Sequence, residues 1–369
     1  MSSSDLYVGL ISGTSVDGVD CALVRFEQDQ PTLLCSHFKP SPDELRQKVL
    51  QICSGEKIDL STLGQIDIEV GRFFAEGVNE LLEESGTKPK NVTAIGSHGQ
   101  TFWHQPTGLY PFSMQLGDPN SIAFHSGITT VADFRRMDIV AGGQGAPLAP
   151  LLHRNVFQSN ESSRAVANIG GISNLTCLPV NRKSAAFDSG PGNVLMDYWI
   201  GKHQQLRYDE NGQWAASGKV NGQLLEKLLD ESYFSLSYPK STGRELFNGE
   251  WLESKLRSVA QTDIADVQAT LLALTAKTIA ADLTRLMAAE ALYVCGGGAH
   301  NGALMTALRA ELPDTEVTST KALGIDPDWV EAIAFAWLAR ERMEGRAIDT
   351  KPFTGAIEPI MLGGVYTPR

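Results

Sequence analysis

An α/β protein built from two similarly folded lobes is the fold class this sequence predicts, on three observations. Apolar, strand-like runs alternate with segments of helical spacing. A strand, polar glycine turn, strand unit near the start is echoed nearly half a chain later, Gly13-Thr14-Ser15 matching Gly171-Ile172-Ser173. And 369 residues exceed what one hydrophobic core usually covers.

Residues 6–11 form a short apolar run, followed by S-G-T-S-V-D-G and a second strand over 19–26. Helical spacing marks 45–52 and 66–82, and 92–96 reads as a buried strand ending at S-H-G-Q-T. The proline- and glycine-rich stretch 104–119 predicts a loop or hairpin, and 129–132 another strand leading into D-F-R-R. The glycine- and proline-rich stretch 141–150 reads as a junction near the domain boundary, and the lobes are assigned as 1–135 and 136–369. The last 18 or so residues are left free to pack on either lobe. The second lobe opens with strands over 165–169 and 175–180 around G-G-I-S-N. A helix over 270–287, a buried strand over 291–295 entering G-G-G-A-H-N-G, and helices over 302–312 and 329–344 follow. Asp326-Pro327-Asp328 reads as the start of the last helix.

Composition narrows the function classes. Hydrophobic residues make up 42% and charged residues 20%, as in ordinary globular chains. The formal charge is −12, from 31 Lys plus Arg against 43 Asp plus Glu. That balance argues against nucleic acid or an anionic membrane as partner, since both need cationic surface. The start lacks a basic region and a long apolar core, and no uninterrupted apolar run approaches a membrane span. Five cysteines without a CxxC pair point to reduced thiols and away from zinc. A cytoplasmic location is expected.

The chain has neither GxxxxGK[ST] nor a GxGxxG leading from strand to helix. A nucleotide would be held by another scheme: tips at Ser12, Gly13, Thr14, Ser15, Asp17 and Gly18 in one lobe, and at Asn168, Gly170 and Gly171 in the other. Such tips bring backbone N–H groups close to phosphate oxygens without side-chain bulk. Asp17 is the candidate Mg²⁺ holder, through water, because magnesium keeps much of its hydration shell. Gly296, Gly297 and Gly298, with Asn301, would let backbone lie flat against a planar base. Taken singly, each strand-turn-strand tip reads better as an ordinary hairpin, and the glycine cluster equally well as a tight crossover; the set of three points to nucleotide.

F-D-S-G-P-G-N places Asp188 between a strand end and a rigid turn. It reads as a general base toward a hydroxyl or water, or as a capping residue of the helix that follows; the two roles can coexist. His98 reads as an acid or base, or as a structural hydrogen-bonder. Its neighbours Gly99, Gln100 and Thr101 suit a polar uncharged ligand. Asp118, Asp133 and Arg135 belong to the same half, as ligand contacts or solvated loop charges. Glu331 opens a helix, as a dipole partner or a second carboxylate in the site.

Taken in order, I-S-G-T-S-V-D-G-V-D, A-I-G-S-H-G-Q-T, Q-L-G-D, V-A-D-F-R, A-G-G-Q-G-A-P-L, N-I-G-G-I-S-N, F-D-S-G-P-G-N, Y-V-C-G-G-G-A-H-N and E-A-I-A-F-A-W-L-A resemble the anhydro-N-acetylmuramic acid kinases over nearly the whole chain. The resemblance implies two actin-like (ribonuclease H-like) lobes with an ATP cleft between them, Mg²⁺-ATP and an anhydro amino sugar as substrates, and a role in cell-wall recycling. It also implies a homodimer, and puts Gln144 with the sugar contacts. A kinase for an ordinary sugar or small acid is the nearest alternative, and an ATP-driven clamp a more distant one.

Overall fold

The computed structural model describes residues 5–13 and 15–368. Its chain divides into two compact units, Met1–Val156 with Trp329–Arg369, and Phe157–Asp328.

The first unit begins with an antiparallel meander of β1 (Leu6–Ile11), β2 (Gly18–Glu27) and β3 (Gln30–Pro40). Helices α1 (Asp43–Cys53) and α2 (Leu60–Ser85) follow. Asp59 caps α2 by accepting the Thr62 N–H, and left-handed Gly86 ends it. Next come β4 (Ala94–Ser97), a separate hairpin of β5 (Gln100–Gln105) and β6 (Phe112–Leu116), α3 (Pro119–Ser126) and β7 (Thr130–Ala132). Helices α4 (Phe134–Val140) and α5 (Ala149–Phe157) close this stretch. The β5–β6 hairpin is the structure behind the glycine- and proline-rich stretch 104–119.

The second unit repeats the pattern. Strands β8 (Arg164–Ile169), β9 (Ile172–Leu178) and β10 (Ala185–Pro191) form a meander. Helices α6 (Val194–Gln204), α7 (Gln213–Ser217), α8 (Gly222–Leu229), α9 (Gly249–Leu256) and α10 (Ile264–Leu286) lead to β11 (Ala291–Cys295), α11 (Gly302–Glu311) and β12 (Glu316–Ser319). Helix α10 is long and apolar enough to cross a membrane by length and composition. Its Leu271, Leu274, Ile279 and Leu283 are buried in the core of this unit, so its apolarity has an internal use.

The chain then returns to the first unit with α12 (Val330–Met343), α13 (Lys351–Thr354) and β13 (Gly364–Tyr366), which pairs antiparallel with β7. Strand order is β3-β2-β1-β4-β7 in one sheet, with β13 beyond, and β10-β9-β8-β11-β12 in the other. Each has its first strand central, the meander to one side and two parallel strands to the other. The α/β class and the ribonuclease H-like strand order of both lobes follow from this.

The boundary differs from the expected 135/136 and falls after Val156, with α12 and the tail in the first unit. Asp138 on α4 is the physical reason. Buried, it accepts the Gly145 N–H at 2.7 Å and the hydroxyls of Thr350 and Thr354 at 2.6 and 2.7 Å. Ile357 N–H also reaches the Ala141 carbonyl at 2.9 Å. Helix α12 lies against β1 and β4, where side chains at Gly9 and Gly96 would run into the carbonyls of Ala332 and Phe335. Helical geometry begins at Val330; before it, the Asp328 N–H turns onto the Asp326 carboxylate.

Candidate active site

In the first unit the β1–β2 connection carries the first candidate phosphate tip. Ser12 is buried and donates its hydroxyl to the Gly18 carbonyl at 2.7 Å, closing the loop on itself. Gly18 admits no side chain, because Lys39 backbone and the Phe38 ring press on it. Gly13 and Asp17 are exposed, and Ser15 donates to Asp17 Oδ1 at 2.7 Å. Thr14 lies outside the described residues. Among the described residues no group of three or more metal-binding side chains exists. An exposed oxygen donor at a tip still suits Mg²⁺, which takes one or two carboxylates and fills its shell with water and phosphate.

The end of β4 and the start of α4 gather the polar set of this unit. Arg135 donates from Nε and Nη2 to His98 Nε2 at 3.2 and 2.6 Å, and from Nη1 to the Gly145 carbonyl at 2.7 Å. Burial, then the Arg135 charge, pushes the His98 pKa well down, so the ring is neutral and accepts at Nε2. Burial draws Arg135 down to about 10, against the opposing pull of Glu331 and Asp138. Glu331, exposed in the first turn of α12, is thereby part of the same electrostatic cluster. The His98 ring also packs on Phe335, centroids 4.7 Å apart.

Beside this cluster, Ser97 Oγ and Gln100 Oε1 are buried without a protein partner. Buried polar atoms are normally paired, so these two mark a surface that expects a polar ligand. Thr101 Oγ1 accepts from Gln115 at 3.1 Å. Gly99 is left-handed, at φ 75°, and lets the chain turn from β4 into β5. Asp133, also left-handed at φ 62°, has its carboxyl raised by burial, with Arg136 at 3.5 Å opposing. Gln144 is exposed, its N–H held by the Thr354 carbonyl at 2.9 Å. Asp118 stands apart. Both its oxygens cap α3, accepting from the N–H groups of Asn120 and Ser121 and from both their side chains.

The second unit holds Asp188 on β10, at a bulge in the pairing with β9. It sits inside the strand, away from the cap of α6, where Asn193 stands instead. Thr242 N–H donates to Asp188 Oδ2 at 2.9 Å, and the Asn174 amide to Oδ1. The Asp188 backbone is fixed as well, its N–H on the Lys240 carbonyl at 3.2 Å and its carbonyl accepting the Tyr233 hydroxyl at 2.7 Å. Burial raises the carboxyl pKa; Thr242 and Asn174 oppose, Glu245 adds, and Lys240 opposes. Lys240 in turn forms a buried ion pair with Asp282 at 2.9 Å. Thr242 Oγ1 is buried without a protein partner beside this carboxylate.

Gly170 and Gly171 interlock with the turn after β10. Their carbonyls accept the N–H groups of Gly192, Asn193 and Val194 at 2.8 to 3.1 Å. The Arg244 guanidinium lies over Gly171, 3.7 Å from where a side chain would begin. Gly296, left-handed at φ 73°, abuts Asn168, and Gly298 abuts Ile169. Gly297 is open, the Asn193 amide its nearest neighbour. Asn301 caps α11 by accepting the Leu304 N–H at 3.0 Å. Gly297 and Asn301 line a cavity of about 330 Å³ with Asn193, Met196, Asp197, Tyr208, Asp209, Asn211 and His300. A larger, shallower hollow of about 620 Å³ lies beside α1 and α2 in the first unit. It is mostly apolar and touches none of the groups above, so it is not the seat of the chemistry.

Lys240, Thr242, Arg244, Asn174 and Asp138 are absent from the sequence-based site. For the first three, the polar run K-S-T-G-R-E was a usable signal, since hydroxyls, a glycine and cations in one loop suit an anion.

The sequence pattern of the anhydro-N-acetylmuramic acid kinase family matches residues 5–368. A protein of that name from Saccharophagus degradans is 48% identical over 370 residues, covering 98% of this chain and 99% of its own length. Another of that name, from Vibrio cholerae, is 46% identical over 370 residues, covering both chains entirely. The structure resembles component A of (R)-2-hydroxyglutaryl-CoA dehydratase from Acidaminococcus fermentans, with TM-score 0.50, 12% identity, and coverage of 90% and 96%. That likeness concerns the fold.

Proposed function

The chain belongs to the anhydro-N-acetylmuramic acid kinase family, a kinase of peptidoglycan recycling, and we propose that Asp188 is the base that activates water in its reaction. The observation that carries this is the held carboxylate: two donors fix its orientation and burial raises its basicity.

In 1,6-anhydro-N-acetylmuramic acid the sixth oxygen is bonded to the anomeric carbon, so no free hydroxyl is available to phosphorylate. Asp188 takes a proton from water as the water oxygen bonds to the anomeric carbon. The bond from that carbon to the sixth oxygen breaks, and its electron pair attacks the γ-phosphorus of ATP. ADP leaves, N-acetylmuramic acid 6-phosphate forms, and the proton on Asp188 passes to solvent. Capture by the phosphoryl group replaces the general acid that an inverting glycosidase needs at the departing oxygen.

The cavity lined by Gly297 and Asn301 takes the adenosine, and the tips at Ser12–Gly18 and Gly170–Gly171 take the phosphates. Arg244, over Gly171, adds a cation toward developing phosphate charge. Asp17 would hold Mg²⁺ through water, and the ion neutralises phosphate oxygens when bound. On the first unit, His98, Gln100, Thr101, Asp133, Arg135 and Gln144 supply the sugar contacts, with Glu331 as a second carboxylate. The unpartnered Ser97 and Gln100 atoms support this assignment. Asp118 is left out, because its oxygens serve the α3 cap. The working compartment is the cytoplasm.

The test is turnover of 1,6-anhydro-N-acetylmuramic acid with Mg²⁺-ATP in ¹⁸O-water, read by mass spectrometry. Label on the anomeric hydroxyl of a phosphorylated product is expected. A phosphorylated product without label at that position overturns the water-attack mechanism.

A further inference from the structure

The cavity beside α6 contains one acidic group that the reading above leaves without a task. We propose that Asp197 recognises the ribose of the nucleotide, its carboxylate accepting hydrogen bonds from the 2′- and 3′-hydroxyls. This rests on the reading that adenosine occupies that cavity.

The other polar atoms of the wall are largely engaged by the protein. Asp209 accepts the N–H groups of Trp214 and Ala215, both at 2.9 Å, and the Gln268 amide at 3.3 Å. Asn211 Oδ1 accepts the Gly302 N–H at 2.9 Å, and Asn301 Oδ1 that of Leu304 at 3.0 Å. His300 Nε2 pairs with Asp328 at 2.7 Å. No protein donor hydrogen-bonds the Asp197 carboxyl among the described residues.

Its place along α6 selects the ribose. Asn193, at the head of the helix, is joined by its N–H to the Gly170 carbonyl, at the candidate phosphate tip. Asp197 comes four residues later and so faces the same side, roughly 5–6 Å further along. In a nucleotide that step leads from phosphate to sugar hydroxyls, and the base lies beyond. Arg244 links the same two points, lying over Gly171 and acting electrostatically on Asp197.

The chemistry separates sugar from base. An ionised carboxylate only accepts hydrogen bonds, which a cis-diol with two O–H donors satisfies. The N1 and 6-amino edge of adenine demands a donor as well, hence a protonated carboxyl. Burial pushes the Asp197 carboxyl up to about 7, with Arg244 pulling down and Asp209 pushing up. A diol stabilises the ionised form, so binding releases a proton and ATP affinity rises as pH goes from 6 to 8. Contact with the adenine edge reverses that slope. His300 and Tyr208 also line the cavity, so the slope is read as the difference between wild type and Asp197→Asn.

Dissociation constants of ATP, 2′-deoxy-ATP and 3′-deoxy-ATP are measured for wild type, Asp197→Asn, Asp197→Ala and Gly297→Val. Wild type is expected to lose about tenfold or more in affinity for each hydroxyl removed. Asp197→Ala is expected to bind all three nucleotides alike. Full discrimination retained by Asp197→Ala overturns the proposal, as does a wild-type slope of the adenine sense that Asp197→Asn removes. Gly297→Val places bulk at the open wall of the cavity. If it weakens ATP while Asp197→Ala does nothing, only the ribose contact falls. If neither substitution affects ATP, the nucleotide assignment of the cavity falls too.

Discussion

Replacing Asp188 with Asn separates chemistry from architecture, because the amide keeps the shape of the carboxyl and removes its capacity to take a proton. Its carbonyl can still accept the Thr242 N–H, and Asn174 can rotate its amide to face the new NH₂ with oxygen. Each bond then changes from charge-assisted to neutral, at a cost of about 1 kcal/mol. Relief from burying a charge offsets part of that, since burial is the main influence on this carboxyl. The net change in stability is therefore expected within about 1–2 kcal/mol, a shift of a few degrees in Tm. Loss of a general base lowers the rate by about 10²–10⁴-fold, or roughly 3–5 kcal/mol of barrier. The chemical effect thus exceeds the structural one. The assay is single-turnover product formation beside the Kd of a non-hydrolysable ATP analogue and the Tm of the same preparations. Turnover should fall by at least about 10²-fold with analogue affinity held within a few-fold. In wild type, kcat/KM should rise with pH through a value above the ordinary carboxylate range, and the variant should lack that limb. A rate within tenfold of wild type, or a loss of nucleotide affinity matching the loss of rate, would refute the assignment of Asp188 as base.

Lys240→Met leaves Asp282 buried with only Arg285, at 2.6 Å, to answer it. A fall in stability of about 3 kcal/mol, roughly 4–8 °C in Tm, is expected, and a second change Asp282→Leu should recover much of it in thermal melts. Gly96→Ala drives a side chain into the Phe335 carbonyl and should cost about 3 kcal/mol or fail to give soluble protein. Gly64→Ala, on α2 with nothing near the new group, should instead stabilise by up to about 1 kcal/mol in denaturant titration. The Asp197 carboxyl is raised to about 7, above its unfolded value. Its contribution is present at low pH and is lost as pH rises from the ordinary carboxylate range to about 7. Asp197→Asn should therefore raise Tm relative to wild type at pH 8, and by less at pH 5; an equal effect at both would disprove it.

Much of the architecture could be read from the sequence because its causes are local. Strands announced themselves by apolar runs, and the glycine tips by the backbone positions that only small residues fill. The match of G-T-S with G-I-S predicts two similarly folded lobes, and the two sheets share the strand order of their first five strands. The boundary was misplaced because what binds residues 136–156 to the first unit is not local. Asp138 meets Thr350 and Thr354 across 212 and 216 positions. The same limit applies to the site. Asp188 is singled out as a candidate by its own turn, yet the Thr242 N–H that orients it lies 54 residues on, and Asn174 reaches it across a sheet register.

Asp118 shows that a local signal can be present and still be outweighed. Asp118-Pro119-Asn120-Ser121 has the features of a helix start: an acceptor side chain, then proline in the first turn. The structure spends the carboxylate on those N–H groups, whereas a carboxylate such as Asp197, with no N–H to cap, is available to a ligand. An acidic residue is therefore a stronger site candidate when its neighbours offer it no backbone donor. Asp188 qualifies by a different route. Its backbone donor comes from a distant loop rather than its own turn, so the bond aims the carboxylate instead of ending a helix.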